Sequence, residues 1–424
     1  MDHRVVVTGL GVVSGLGYDW ETFWNALLAG KSAIRPWQPE GVDAFPVRYA
    51  APVDQADFSQ YFSHAEELKQ PMERRSRFGL MAARQALADA GLSGRLDPGT
   101  GVAMGSGVPE RFEADMLLAL GPQGPDWEHL YERRAQLNPS MRAGNDHLSA
   151  LIARSYGCHG PVQNFSTACA GAAHAIGSAF RMIRDGETAC MLAGGADSVL
   201  SLMTMVGLNL IGAPSTSEDH GDRLCRPFDI ERSGFVAAEG GAVVVLESEQ
   251  SARRRGARIY AEMRGFGSSL DAYRVTAPHP EGKGAALAMQ KALDDAALPA
   301  AAIDYINAHG TSTPLNDVAE TKAIKTVFAH DAHYSKLLVS ASKSQIGHMI
   351  AAAGAPEFIA TALALHAGCV PPTLNLDHPD PACDLDYVPH HARRAAIRAA
   401  LSNSFGFGGL NVSLALRRYQ EEQA

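Results

Sequence analysis

The run Arg4-Val-Val-Val-Thr-Gly-Leu-Gly-Val-Val13 is continuously apolar and β-branched instead of alternating apolar with polar. A strand with one face in water alternates, whereas one covered on both faces does not. The run therefore suits a strand in a mixed or parallel sheet flanked by helices. The same character returns at Thr100–Gly107, Ala189–Asp197, Gly240–Ser248, Ile303–Thr311, Lys336–Lys343 and Arg398–Arg418. Helical spacing fills the intervals, as in ETFWNALLAG, RSRFGLMAARQALADAGL, AGAAHAIGSAFRMIRDG, GAALAMQKALDDAAL and DVAETKAIKTVF. Strands alternating with helices place the chain in the α/β class.

At 424 residues the chain is long enough for two domains or one large duplicated one. Each half offers strand, helix, strand and a glycine-rich end, which hints at duplication, with the seam expected near SARRRGARIYAE (251–262). Asp317 with Glu320 three residues later reads as an N-terminal capping box, and Gly186 as a C-terminal glycine cap. Pro109–Asn145 is the least regular segment, open to reading as a lid or as a plain surface excursion.

The composition, with 46% hydrophobic and 20% charged residues, is that of a globular enzyme, and a net charge of −9 argues against nucleic-acid binding. The six cysteines (158, 169, 190, 225, 369 and 383) contain no C-x-x-C pair, which suits a reducing compartment. The start MDHRVVVTGLG has no signal-peptide pattern, so a cytoplasmic protein is expected. Met349–Gly368 is the most membrane-like window, but Pro356 and Glu357 interrupt it, and a buried helix with no membrane span is expected.

The glycines of TGLGVVSGLG (Thr8–Gly17) invite a dinucleotide-binding reading. They do not open a helix, because helical periodicity starts only near Asp19. A glycine-rich turn between strand and helix is the expectation.

In NFSTACAGAAHAIGSAF (Asn164–Phe180), Cys169 stands between an apolar strand and a helix of small residues. A helix N-terminus favours thiolate, and small neighbours permit a sharp turn with room for a substrate. On this stretch alone a nucleophile and an inert buried cysteine stay equally open. Two histidines share its setting of strand end, glycine and helix. His309 lies in NAHGTSTPLND and His348 in SKSQIGHMIAAAGAPE, with Lys343 upstream and Glu357 downstream. In LSNSFGFGGLN (Leu401–Asn411), the glycines are read as hanging Phe405 and Phe407 over a pocket as an aromatic gate.

Taken together in order, RVVVTGLGVVS, GGAD, RPFDIERSGFV, NAHGTSTPLND, SKSQIGH and NSFGFGGLN make the chain resemble the β-ketoacyl-acyl carrier protein synthases. It most resembles the synthase II type of fatty-acid and type II polyketide systems. The resemblance implies a thiolase-like fold, five layers αβαβα from two duplicated halves (1–252 and 253–424), normally dimeric. It also implies that Cys169 accepts an acyl chain from an acyl carrier protein. Malonyl on a second carrier then loses carbon dioxide, and its carbanion attacks the thioester. His309 and His348 would stabilise the enolate, and the N–H groups of Cys169 and Phe407 would form an oxyanion hole. Lys343 would act electrostatically near His348, and Glu357 would support it.

Thr311 and Thr313 would hold the 4′-phosphopantetheine arm supplied by the carrier protein, and no intrinsic cofactor or metal is implied. The partner chain would be a second copy, a homologous ketosynthase or a chain-length factor. Val108, Leu208 and Phe405 would line the substrate site beside Phe407. Departures from the family pattern fall at Ala170-Gly171, at Leu208 and Gly212, and in VPERFEADMLLAL after Gly107. They leave a specialised polyketide, such as a polyene, and a housekeeping fatty acid both open as products, with the polyketide preferred. Within the fold the alternative is a thiolase acting on coenzyme A thioesters, and outside enzymes it is a non-catalytic chain-length factor.

Overall fold

The computed structural model describes all residues except 1–2, 40–41, 43, 55–72, 108–119, 122–123, 133–143, 332–333 and 422–424. Val108 and most of Pro109–Asn145 lie outside the described residues. Ten strands form one sheet: β1 (Val5–Val13), β2 (Gly101–Gly105), β3 (Val162–Phe165), β4 (Cys190–Ser198), β5 (Glu239–Ser248), β6 (Ala261–Leu270), β7 (Tyr305–Asn307), β8 (Leu338–Ser340), β9 (Ala399–Gly406) and β10 (Leu410–Arg417).

The sheet states the duplication directly. Its spatial order is β8-β7-β9-β10-β6-β1-β5-β4-β2-β3, so each set of five strands follows the order 1-5-4-2-3 outward from the centre. In each set the first three strands pair antiparallel and the outer ones parallel. The sets join where β1 runs antiparallel to β6, with Val5 opposite Met263 and Val7 opposite Ala261. At this join Glu262 is buried and receives Arg4 Nη2 at 2.8 Å, Arg264 Nη1 at 3.0 Å and Arg417 Nη2 at 2.7 Å. Burial alone would raise its pKa, but the three guanidiniums pull it down to about 2.

The helices repeat in step. The longer ones are α1 (Trp20–Leu28), α2 (Arg74–Asp89), α3 (His147–Tyr156), α4 (Gly171–Arg184), α5 (Leu202–Leu210), α6 (Lys283–Ala296), α7 (Pro314–Phe328) and α8 (Gly354–Ala367). Helices α2 and α3 cover the outer face of the first set, α6 and α7 that of the second, and α4 and α8 pack together between them. The result is a thiolase-like five-layered αβαβα fold. Residues 350–367, apolar and long enough by composition to cross a membrane, are 83% buried in this middle layer.

The glycines of TGLG are not a turn, as expected from the sequence, but part of β1. A Cβ on Gly9 would lie 2.1 Å from the Ala86 carbonyl oxygen, and one on Gly11 would lie 1.9 Å from that of Ala82. Only glycine lets α2 settle this close to the strand. The second half repeats the device: Gly265 and Gly267 of β6 face the carbonyls of Ala292 and Ala288 on α6 at 2.3 and 2.1 Å. Both strands shift register at the same place, between Val7 and Gly9 and between Met263 and Gly265. The strand runs read from the sequence pass from Gly240–Ser248 to Ile303–Thr311 without β6; glycine is poor in strands, and here the glycines serve helix contact.

Gly186 caps α4 as expected. Its φ is +83°, and Glu187 N reaches the Met182 carbonyl at 2.9 Å, closing the paired turn of a glycine cap. The capping box at Asp317 is not formed. Helix α7 starts three residues earlier, with Pro314 in its first turn and the Thr313 hydroxyl accepting from Asn316 N at 3.4 Å. That start frees Asp317 and Glu320 to turn inward, where both are buried.

Candidate active site

Strand β3 ends at Phe165, and the chain turns through a single 3₁₀ turn, Ala168–Ala170, into α4. Ala168 has φ +45°, a left-handed conformation that costs an L-residue roughly 1–3 kcal/mol. The turn puts Cys169 at the start of the helix, buried. Gly406 packs behind it: a Cβ there would stand 3.1 Å from Cys169 N and 3.2 Å from the Thr167 carbonyl. The sulfur faces the backbone N–H groups of Phe407 and Cys169, which favour its charged form, as does the Lys343 charge. Burial outweighs them and pushes the thiol up to about 11. The helix start was expected to favour thiolate; in the buried resting site desolvation wins.

The second half carries the same elbow. Ile350 also has φ +45°, a 3₁₀ turn covers Ile350–Ala352, and α8 follows. The position matching Cys169 is Ala351. Its N–H donates to the buried carboxylate of Asp197 at 3.1 Å. An elbow of this shape therefore binds an anion, and in the first half the matching N–H is aimed at the Cys169 sulfur.

His309 leaves the end of β7 and His348 precedes the second elbow, and both are buried. Their rings meet edge to face with centroids 5.4 Å apart. Hydrogen bonds set both tautomers. Ile350 N donates to His348 Nδ1 at 3.2 Å, and the Lys343 ammonium lies 3.3 Å from His309 Nδ1. Each Nδ1 thus accepts, and each ring carries its proton on Nε2. Burial and then the Lys343 charge hold both histidines well below the ordinary imidazole range, so they are neutral.

Lys343 touches His309, and its charge reaches the His348 ring as well. Its ammonium also bonds the His309 carbonyl at 2.8 Å and Glu357 Oε1 at 2.5 Å. Burial pushes Glu357 up to about 7 against the pull of Lys343. Sequence reading missed Glu320 and Asp317 as site residues. Glu320 accepts from His309 N at 2.8 Å and Gly310 N at 2.9 Å. Asp317 accepts from Thr311 N at 3.1 Å and Phe228 N at 2.9 Å, tying the RPFD segment to the histidine loop. Their signal was a helix too acidic on its inward face, which the capping-box reading absorbed.

A cavity of about 380 Å³ opens on this group. Cys169, His309, His348, Thr311, Thr313, Phe405 and Phe407 line it. The Thr311 and Thr313 hydroxyls are 2.9 Å apart. Leu208 is not on that wall. It packs in a separate apolar cluster with Phe45, Val199, Met205 and Phe235, against which Phe407 and Ile350 also rest.

The donor atoms of Cys169, His309 and His348 lie within 4.8 Å of one another, close enough for a three-ligand metal site. The fit fails on protons. A metal needs the Nε2 lone pairs, and both Nδ1 atoms already face donors and cannot take the displaced proton. The pair is set to donate to an oxygen.

Comparison with known proteins agrees. The N-terminal domain model of β-ketoacyl synthases matches residues 2–252, and the C-terminal domain model matches residues 260–377. The chain belongs to the β-ketoacyl synthase family. This synthase is 39% identical over 98% of both chains to 3-oxoacyl-[acyl-carrier-protein] synthase 2 of Synechocystis, and 41% identical to that of Vibrio harveyi over 99% of both. Among solved structures, the synthase matches a ketosynthase from Burkholderia phymatum with TM-score 0.86, 35% identity and coverage of 99% and 100%. It matches a type II polyketide ketosynthase, solved with its acyl carrier protein and a hexaketide, with TM-score 0.85, 32% identity and the same coverage. The ishigamide ketosynthase/chain length factor gives 0.86 at 33% identity, again with coverage of 99% and 100%.

Proposed function

We propose that this synthase elongates acyl chains by decarboxylative condensation with malonyl on an acyl carrier protein, through Cys169, His309 and His348. The observation that carries the reading is the close grouping of one thiol with two imidazoles, each fixed as a neutral Nε2 donor. Cys169 attacks the acyl thioester, and the carbonyl oxygen takes its charge between the N–H groups of Cys169 and Phe407. The new sulfur–acyl bond forms as the carrier's thiol leaves with the cysteine proton.

Malonyl on a second carrier then loses carbon dioxide. The enolate oxygen sits between the two Nε2–H donors, which suit an oxygen that gains charge. Its carbon attacks the acyl-cysteine, a carbon–carbon bond forms, and the Cys169 sulfur leaves. Thr311 and Thr313 hold the 4′-phosphopantetheine arm along the cavity. The partners are the carrier protein and a second chain of the same fold, a copy or a homologous ketosynthase or chain-length factor. We take 252/253 as the boundary of the two halves and the cytoplasm as the setting.

A thiolase would need a second cysteine as base. Among the described residues Cys169 is the only cysteine lining the cavity, and its counterpart in the second half is Ala351. A chain-length factor would have no use for the nucleophile and its two donors. With acyl and malonyl carriers supplied, mass spectrometry should find the acyl group on Cys169 and a 3-oxoacyl carrier as product; an unmodified Cys169 during turnover refutes the scheme.

We place the acyl chain behind Phe407, among Leu208, Ile350 and Val199, keep Val108 as a substrate-site residue, and favour a specialised polyketide chain. Leu208→Phe should then lower kcat/KM for the longest accepted chains about tenfold or more and spare the shortest, because a pocket reads methylenes at about 1–3 kcal/mol each. A panel of saturated and unsaturated acyl carriers of graded length measures this.

A further inference from the structure

His174 has no part in the scheme above, yet it lies five residues beyond the nucleophile on α4. Its Nδ1 is 3.0 Å from the Thr167 hydroxyl, two residues before Cys169. The ring also faces the backbone carbonyl of Ala170, one residue after Cys169, whose pull works against the effect of burial. Burial pushes its pKa down, so the ring is neutral and works through hydrogen bonds and not charge. Two aromatic rings fix its plane. Phe165, the last residue of β3, lies parallel to it at 8° and 6.2 Å, and Phe266 meets it edge-on at 6.0 Å.

Between these two attachment points lies Ala168, the left-handed residue that aims the thiol. A strained turn keeps its shape only when its surroundings over-determine it. Gly406 supports the elbow from behind. The side facing away from the cavity is held by Thr167 and His174, and these residues are only half-buried. The second elbow is built otherwise: its positive-φ residue, Ile350, donates its own N–H to His348, and Asp197 takes the next one.

We propose that His174 is a positioning residue for the condensation: by holding Thr167 and Ala170 it fixes the Cys169 elbow so that the sulfur points at the reacting carbonyl. The inference rests on the role proposed for Cys169. His174→Ala should lower kcat between about 10- and 100-fold, as a misplacement near 1 Å does, with KM for both carrier-bound substrates within twofold of wild type. The rate at which iodoacetamide alkylates Cys169 should fall in parallel. His174→Asn keeps a nitrogen or oxygen near the Nδ1 position and should restore most of both losses. Thr167→Val should reproduce the His174→Ala defect, and Thr167→Ser should not.

The proposal is overturned if His174→Ala keeps kcat and alkylation within twofold of wild type. It is equally overturned if the Asn and Ala variants lose both to the same extent, which would mean packing alone. Alkylation does not depend on the condensation chemistry. If the wild-type protein forms no 3-oxoacyl product, the proposed function fails, and the alkylation series still judges His174.

Discussion

Cys169→Ala should lower condensation by at least about 10³-fold, while decarboxylation of malonyl on its carrier persists. The two outcomes separate because the groups act on different oxygens. In the proposed scheme the thiol carries the acyl chain, so without it no carbon–carbon bond can form. The enolate oxygen depends on the Nε2–H donors of His309 and His348, whose tautomers are set by Lys343 and by Ile350 N without help from the sulfur. Carbon dioxide release and 3-oxoacyl carrier, measured in the same reaction, give the two rates. Condensation by the Ala variant at the wild-type rate would exclude Cys169 as the nucleophile. Loss of decarboxylation together with condensation would mean that the histidines do not act alone on malonyl.

Lys343→Met should cost both stability and activity, and a second substitution should return only the first. The ammonium is buried and bonds Glu357 Oε1, the His309 carbonyl and His309 Nδ1. Removing one partner of a buried ion pair costs about 3–5 kcal/mol, while replacing both is often close to neutral. Glu357 is already held near neutrality by burial and takes up a proton when Lys343 is gone, which places the loss toward the lower end of that range. Lys343→Met with Glu357→Gln should recover most of the urea midpoint. Activity should stay at least about 100-fold down in both variants, because nothing then donates to His309 Nδ1 and its ring can turn an acceptor toward the enolate. If the double variant recovered activity along with stability, Lys343 would be a structural residue only.

The two variants also show why the site reads unevenly from the sequence. Cys169, His309 and His348 announce themselves because each stands where an apolar strand meets glycine and small residues. That pattern is local and is written in consecutive letters. Lys343 and Glu357 were visible as charges in apolar surroundings, but not which histidine they serve. Asp317 and Glu320 were misread because a capping box needs the same acidic residues at the same spacing. The Thr313-Pro314 start decides the matter, and it turns both carboxylates onto the histidine loop.

The same division runs through the fold. Continuous β-branched runs between helical patterns were enough to specify an α/β protein, since burial on both faces leaves its mark on every residue of a strand. The glycines of β1 and β6 were not readable in this way. Their meaning is a helix carbonyl about 2 Å from where a side chain would begin, supplied by residues 21 to 77 positions away. By itself the sequence determined the class of fold and the family the chain resembles, and it singled out Cys169, His309 and His348 as candidates, because those depend on neighbours along the chain. Tertiary structure alone decided the tautomers of the histidines, the protonated resting state of Cys169 and the pairing of its elbow with that of Ala351. Lys343 reaches His309 from 34 residues along the chain, the Cys169 elbow is met by Gly406 and Phe407 of the other half, and burial acts on all of them, so the folded arrangement and not the run of letters sets these states.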